Sequence, residues 1–262
     1  ANACKVAQLS NGNILVAFSD DADSGKLKVI ISSDNGMTWG SEISVSSGTA
    51  GPYAIEVLTS GRVMISGGVS VGIYYSDDNG QTWTGFSPSG GISSLPIESF
   101  LELPSGVLLA AEDGSSEVDV YVSCDGGFSW SHLSTVVSTT NNQLDPCLVQ
   151  AKNGDIICFY RTDQESAGDY EVKCKISSDG GASWGSAIDV IDFSSGDIYA
   201  IGGLLDISGR VYAIGDESGT GVVLAYSDDD GSTWTGTVTI NGSGSWPDAC
   251  LAHGHQILLV SF

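Results

Sequence analysis
Short apolar runs alternate with tight polar turns along the whole chain. The pattern is clearest in one stretch, where Cys147-Leu148-Val149-Gln150 leads into the turn Lys152-Asn153-Gly154-Asp155 and Ile156-Ile157-Cys158-Phe159-Tyr160 returns. A loop follows, then Glu171 to Ile176, a second polar turn and a further strand after Trp184. Runs of this length bounded by Gly, Asn, Asp and Ser predict antiparallel strands, four to a stretch. The same reading gives units at 3–46, 53–88, 97–137, 145–192 and 198–240, with links rich in Ser, Gly and Thr. A partial sixth, 247–262, offers Asp248 to Ala252 and Ile257 to Phe262, two strands only. The expectation is one all-β domain over residues 1–262.

Each of the five units carries the same turn. It reads Ser32-Ser33-Asp34-Asn35-Gly36-Met37-Thr38-Trp39 in the first and recurs as Ser76 to Trp83, Ser123 to Trp130, Ser177 to Trp184 and Ser227 to Trp234. The pattern is S-x-D-x-G-x-[S/T]-W, with tryptophans 44, 47, 54 and 50 residues apart. A repeat of that length marks a solenoid, an array or a propeller. The Asp can accept backbone N–H bonds inside the turn, the Gly supplies φ > 0, and the Trp packs back on the sheet. These are Asp-box repeats, and the chain resembles the sialidase-like β-propellers across its whole length. That resemblance implies four-stranded antiparallel blades, five complete and the first two strands of a sixth. It implies no chemistry, because glycosidases, lyases, lectins and interaction scaffolds share the fold.

Composition narrows the partners. Nine Lys+Arg against 32 Asp+Glu give a net charge of −23, which argues against nucleic acid, anionic membranes and polyanionic substrates. No run of 18 apolar residues exists to form a transmembrane helix. An acidic, solvated surface and six cysteines fit a secreted protein. Cys158 and Cys174 flank a hairpin loop and are one candidate disulfide, Cys4 and Cys250 of the first and last units a second; buried thiols are the alternative. The acids at Asp21-Ala22-Asp23-Ser24-Gly25 match only part of a calcium loop, and no His/Cys group has zinc spacing, so neither a metal nor a cofactor is expected.

Antiparallel order sends the Asp boxes to a lower face and the strand-1 starts and strand 2–3 loops to an upper face around the central channel. The strand-1 starts carry Lys5, Tyr53, Glu98, Asp145, Tyr199, Trp246 and Asp248; the loops carry Asp20, Asp21, Asp23, Glu112, Asp113, Arg161, Asp163, Glu165, Asp216 and Glu217. A sialidase would need three arginines to hold its sugar carboxylate. Of Arg62, Arg161 and Arg210, the first and last follow Gly in lower-face turns, which leaves Arg161 alone.

A second resemblance is local. Asp145-Pro146-Cys147-Leu148-Val149 followed by Gly154 to Asp163 looks like the fourth blade of the fungal exo-arabinanases, six-bladed glycosidases whose blade opens on Trp-Glu-Pro. The Glu of that pair is catalytic there, and its position here is Asp145. The family's partner carboxylate lies seven residues beyond the turn glycine of the next blade, which from Gly209 is Asp216. Ala7-Gln8-Leu9 resembles the family's first strand, with Lys5 where the family has Arg. Glycoside hydrolysis needs two carboxyl groups across the scissile bond, one protonated and one ionised, and a crowd of acids around a channel produces such a pair. The expected function is exo-acting hydrolysis of a neutral oligosaccharide or polysaccharide by Asp145 and Asp216. Lys5, Tyr53, Glu98, Arg161, Tyr199, Trp246 and Asp248 are expected to bind the sugar. A lectin is the alternative, and an interaction scaffold a third.

Overall fold
The computed structural model describes residues 4–67, 72–92, 96–114, 116–163, 170–191, 198–217, 221–241, 248–252 and 256–260. Strands dominate, and the one helical element among these residues is a 3-10 turn at Asp21–Asp23. The first blade is β1 (Cys4–Gln8), β2 (Ile14–Asp20), β3 (Lys26–Ser32) and β4 (Ile43–Thr49). The second is β5 (Ala54–Val57), β6 (Val63–Ser66), β7 (Ile73–Ser76) and β8 (Thr84–Phe86). A two-residue strand, β9 (Ser89–Gly90), precedes the third blade of β10 (Ser99–Glu102), β11 (Leu108–Asp113), β12 (Glu117–Ser123) and β13 (Ser129–Ser138). The fourth is β14 (Gln143–Gln150), β15 (Ile156–Thr162), β16 (Glu171–Ser177) and β17 (Ile188–Ile191). The fifth is β18 (Ile198–Leu205), β19 (Val211–Glu217), β20 (Gly221–Ser227) and β21 (Thr235–Asn241), and β22 (Asp248–Ala252) with β23 (Gln256–Val260) stands where a sixth would be.

Every blade pairs its strands in chain order, antiparallel. The exception is β9, which adds to the outer edge of β13 in parallel. Only glycine fits there, because a Cβ on Gly90 would fall inside the Trp130 carbonyl. The innermost strands β1, β5, β10, β14, β18 and β22 touch in sequence, and β22 closes the ring by contacting both β18 and β1. The Asp248 carboxylate clamps that closure by accepting the Val6 N–H at 2.7 Å.

Side chains of successive blades meet in apolar layers, for instance Ile157, Phe159, Val172 and Cys174 of the fourth against Val211, Ala213, Val223 and Ala225 of the fifth. The Asp boxes seal these layers. In the fourth box Asp179 accepts from the Ser183 N–H at 2.9 Å and from its hydroxyl, while the Ser177 hydroxyl donates to the same carboxylate at 2.7 Å. Two turn glycines follow at φ 76° and 90°.

No disulfide joins any of the six cysteines. The Cys158–Cys174 pairing fails on register: Cys174 lies opposite Phe159 and Cys158 opposite Lys175, so the two thiols point to opposite faces of the blade. Cys4 and Cys250 do pack in one cluster at the ring closure. In the partial calcium motif Asp23 pairs with Lys26 at 2.8 Å, and the preceding Asp20 pairs with Lys28.

Candidate functional site
The six innermost strands frame a central channel of about 550 Å³, lined among others by Lys5, Glu56, Glu98, Cys147, Asp248 and Cys250. Asp145 does not line it but acts electrostatically on Glu98, which does. The β14–β15 register breaks between Leu144 and Cys147, and Asp145 sits in the break at φ 51°. A left-handed backbone is costly for a residue with a Cβ, and the following Pro146 removes a ladder N–H, so the surroundings must hold this geometry. They do: the Asp145 N–H donates to Asp113 at 3.0 Å instead of to the ladder. The side chain forms an ion pair with the Arg161 Nε at 2.6 Å.

Arg161 has two further contacts, although its Nε makes no hydrogen bond of good geometry. It donates to the Ile198 carbonyl at 2.7 Å and lies over the Tyr170 ring, 4.6 Å from the centroid. Burial pushes the Asp145 carboxyl above its usual range, and the Arg161 guanidinium works against that rise. Lys5 faces Asp248 at 3.9 Å. Burial works to lower the Lys5 ammonium, but the charge of Asp248 leads the opposing influences, and the amine is raised above its ordinary value. The Glu98 carboxyl is also displaced, as is that of Glu56 on the same channel, which burial first pushes up to about 8. Burial first, and then the charges of Asp145 and Asp113, push Glu98 up to about 8, with Lys5 pulling the other way.

The structure therefore gathers Asp145, Arg161, Lys5, Glu98 and Asp248 into one electrostatic group. Asp216 is buried near the end of β19 opposite Val222, on the face that β19 turns toward the sixth blade. Tyr53 is half-buried at the start of β5, its N–H bonded to the Ser66 carbonyl. The backbone of Tyr199 runs in β18, and Trp246 lies outside the described residues. Two residues of the site escaped the sequence reading. Asp113 was one acid among many until its bond to Asp145 appeared, and Tyr170 carried no signal, being an aromatic residue at a strand edge.

Among the described residues, no group of three or more His, Cys, Asp and Glu has the arrangement of a metal site. No helix there is long and apolar enough to cross a membrane.

The BNR/Asp-box repeat family matches residues 74–84, the second Asp box. No curated protein sequence matches the chain. Among solved structures, a protein of unknown function from Dyadobacter fermentans superimposes with a TM-score of 0.77 at 17% identity, over 94% of this chain and 85% of its own. An α-L-arabinanase of Penicillium chrysogenum complexed with arabinobiose gives 0.73 at 17% identity, over 99% of this chain and 88% of its own. The NanB sialidase of Streptococcus pneumoniae gives 0.75 at 14% identity over 98% of this chain, which spans only 64% of that enzyme. At such identities the likeness is one of fold. The chain is an Asp-box β-propeller, built on the architecture shared by these sialidases and arabinanases.

Proposed function
We propose that this propeller is an exo-acting glycoside hydrolase that works outside the cell on a neutral glycan, with Asp145 and Asp216 as its carboxylate pair. One observation carries the neutral-glycan reading: the cations at the mouth are already spoken for. Arg161 is held by Asp145 and by the Ile198 carbonyl, and Lys5 faces Asp248. A sugar carboxylate would have to compete with the Asp145 carboxylate and the Ile198 carbonyl for the Arg161 guanidinium. A neutral sugar needs none, and finds acceptors in Asp145, Glu98 and Asp248, with Tyr53, Tyr199 and Trp246 as apolar surfaces. The ion pair also suits Asp145 to the ionised role, because Arg161 favours the charged form against burial.

The arabinanase neighbour makes arabinobiose and arabinan the first substrates to offer, beside a panel of neutral disaccharides and a sialylated trisaccharide. Release of a monosaccharide from a neutral glycan is expected. Asp145→Asn or Asp216→Asn should lower it by about two orders of magnitude or more, with the fold retained by circular dichroism. Unchanged release in both variants would overturn the catalytic assignment. Binding of a neutral glycan with no release by the unaltered chain would make the protein a lectin, and salt-sensitive preference for the sialylated sugar would defeat the neutral-glycan reading.

A further inference from the structure
Among the described residues, five that are not glycine have a left-handed backbone: Ser24, Asn35, Asn79, Asp145 and Asp230. Ser24 closes the 3-10 turn, and Asn35, Asn79 and Asp230 lie in Asp boxes, where the turn itself calls for that geometry. Asp145 alone lies inside a strand. From Leu144, opposite Arg161, to Cys147, opposite Phe159, β14 takes three steps while β15 takes two, so the strand carries one extra residue there. A bulge of this kind re-aims a side chain, and a strained residue within it persists only where its surroundings hold it.

The hold on the Asp145 backbone comes from another blade. Asp113, at the end of β11 in the third blade, accepts the Asp145 N–H at 3.0 Å. Pro146 has no N–H, so the bulge offers one backbone donor and the third blade takes it. The side chain is held separately and from the other side: it pairs with Arg161, which donates to the Ile198 carbonyl of the fifth blade. We propose that Asp113 is a positioning residue: by accepting the Asp145 N–H it keeps Asp145 left-handed and so aims the Asp145 carboxyl at the glycosidic bond. This rests on the hydrolase reading above and adds what sets the geometry of one of its two carboxylates.

The role asks of Asp113 an oxygen acceptor in the right place, not a charge. A residue with a Cβ leaves the left-handed region when nothing holds it there, because its Cβ crowds the following carbonyl. The Asp145 carboxyl then swings with the backbone, and a misplacement of about 1 Å at a reacting group costs about a hundredfold in rate. The charge of Asp113 is the competing account of any effect. It reaches Glu98, whose carboxyl burial, then Asp145 and last Asp113 push upward against Lys5. Substitution separates the two accounts, since asparagine keeps an acceptor oxygen of the same reach and loses the charge.

The test compares Asp113→Asn and Asp113→Ala in the whole chain, by sugar release from arabinobiose or from whichever neutral disaccharide of the panel the unaltered chain cleaves. Asp113→Ala should lower kcat about a hundredfold and leave KM nearly unchanged, while Asp113→Asn should keep both. A crystal structure of each variant gives a readout that needs no substrate. Asp145 should stay left-handed in Asp113→Asn, near its present φ of 51°, and become extended in Asp113→Ala. If Asp113→Asn loses as much rate as Asp113→Ala, charge is the cause; if KM alone rises, Asp113 is a sugar contact. Either result overturns the inference, as does an Asp113→Ala that keeps its kcat or a left-handed Asp145. In those cases the hydrolase reading still stands or falls on Asp145→Asn and Asp216→Asn. If the unaltered chain cleaves no neutral glycan, that reading fails and this one with it.

Discussion

The seam between the second and third blades and the seam at the sixth are made from the same repeat and end differently. In the first, Gly127 of the third Asp box nests against Met64, where a Cβ would come within 2.5 Å of the methionine methyl. The Trp130 indole N–H donates to the Gly127 carbonyl at 2.8 Å, and its ring is buried with Phe100, Leu108 and Tyr121. At the sixth position the described residues form β22 and β23, with β22 between β18 and β1. Among the described residues, nothing from a preceding blade packs on the glycine of the first Asp box. A Cβ on Gly36 would meet only the ring of Trp39, Trp39 is 38% exposed, and Met37 is 82% exposed. On the other wall, Val238 and Ile240 of β21 are 55% and 48% exposed. Val238 lies opposite Leu224, on the side that meets Ala249 further in. An Asp box thus forms its turn alone, while its glycine and tryptophan are buried against strands of its own and the preceding blade. The box is local; the seam is not.

The largest effect expected from this contrast is in the tryptophans. Trp130 is 2% exposed, and truncating a large buried aromatic costs about 3–5 kcal/mol. Trp130→Ala should lower stability to denaturant by an amount in that range. Trp39→Ala, at a site with no neighbouring blade around it, should cost under about 1 kcal/mol. Equal losses in chemical denaturation would mean that something fills the sixth seam in solution.

Glycines sharpen the same comparison at a smaller scale. Gly36 and Gly80 are both left-handed, at φ 85° and 82°, so an alanine at either carries backbone strain of about 1–2 kcal/mol. Only Gly80 is also crowded, with Leu15 at 2.7 Å and Ile31 at 3.2 Å from a Cβ. Gly80→Ala should therefore cost about 1–3 kcal/mol more than Gly36→Ala, the usual range for overpacking. Equal costs would show the closed seam to be looser than its geometry.

How far the sequence revealed this molecule follows the same division between local and non-local. The five Asp boxes and the short alternating strands are local patterns, so blades, turns and the two-strand remainder could all be read from them. The parallel strand at Ser89–Gly90 could not, because its partner, Ser129–Trp130, is 40 residues on. Nor could the face to which Cys174 points, which depends on one step of register. At the site, acids at strand starts were legible as a class, and Asp145 stood out through its proline. Its pairing with Arg161 joins residues across a broken register, and the upward push on the Glu98 carboxyl comes from burial and then from carboxylates on other strands. Those are properties of assembled charge, with no periodicity to announce them.

The smallest expected difference is the most direct test of whether box and seam are separate. In the first box the Thr38 hydroxyl, the Thr38 N–H and the Ser32 hydroxyl hold the Asp34 carboxyl down at about 2; in the fourth, Ser183 and Ser177 do the same for Asp179. A carboxyl depressed on folding stabilises above its unfolded value of 3.8, and that stabilisation is lost as pH falls toward about 2. Both boxes should therefore weaken over the same acid range, although one lies at an open seam and the other at a closed one. Asn in place of either Asp keeps one acceptor oxygen and loses the charge that favours those donors. Asp34→Asn and Asp179→Asn should thus lower the melting temperature at neutral pH by the same amount, and each should flatten the acid limb of stability between about pH 4 and about pH 2 equally. A clearly larger drop for Asp179→Asn would show that a box draws part of its stability from the blade it seals, and the two levels of the fold would then be coupled.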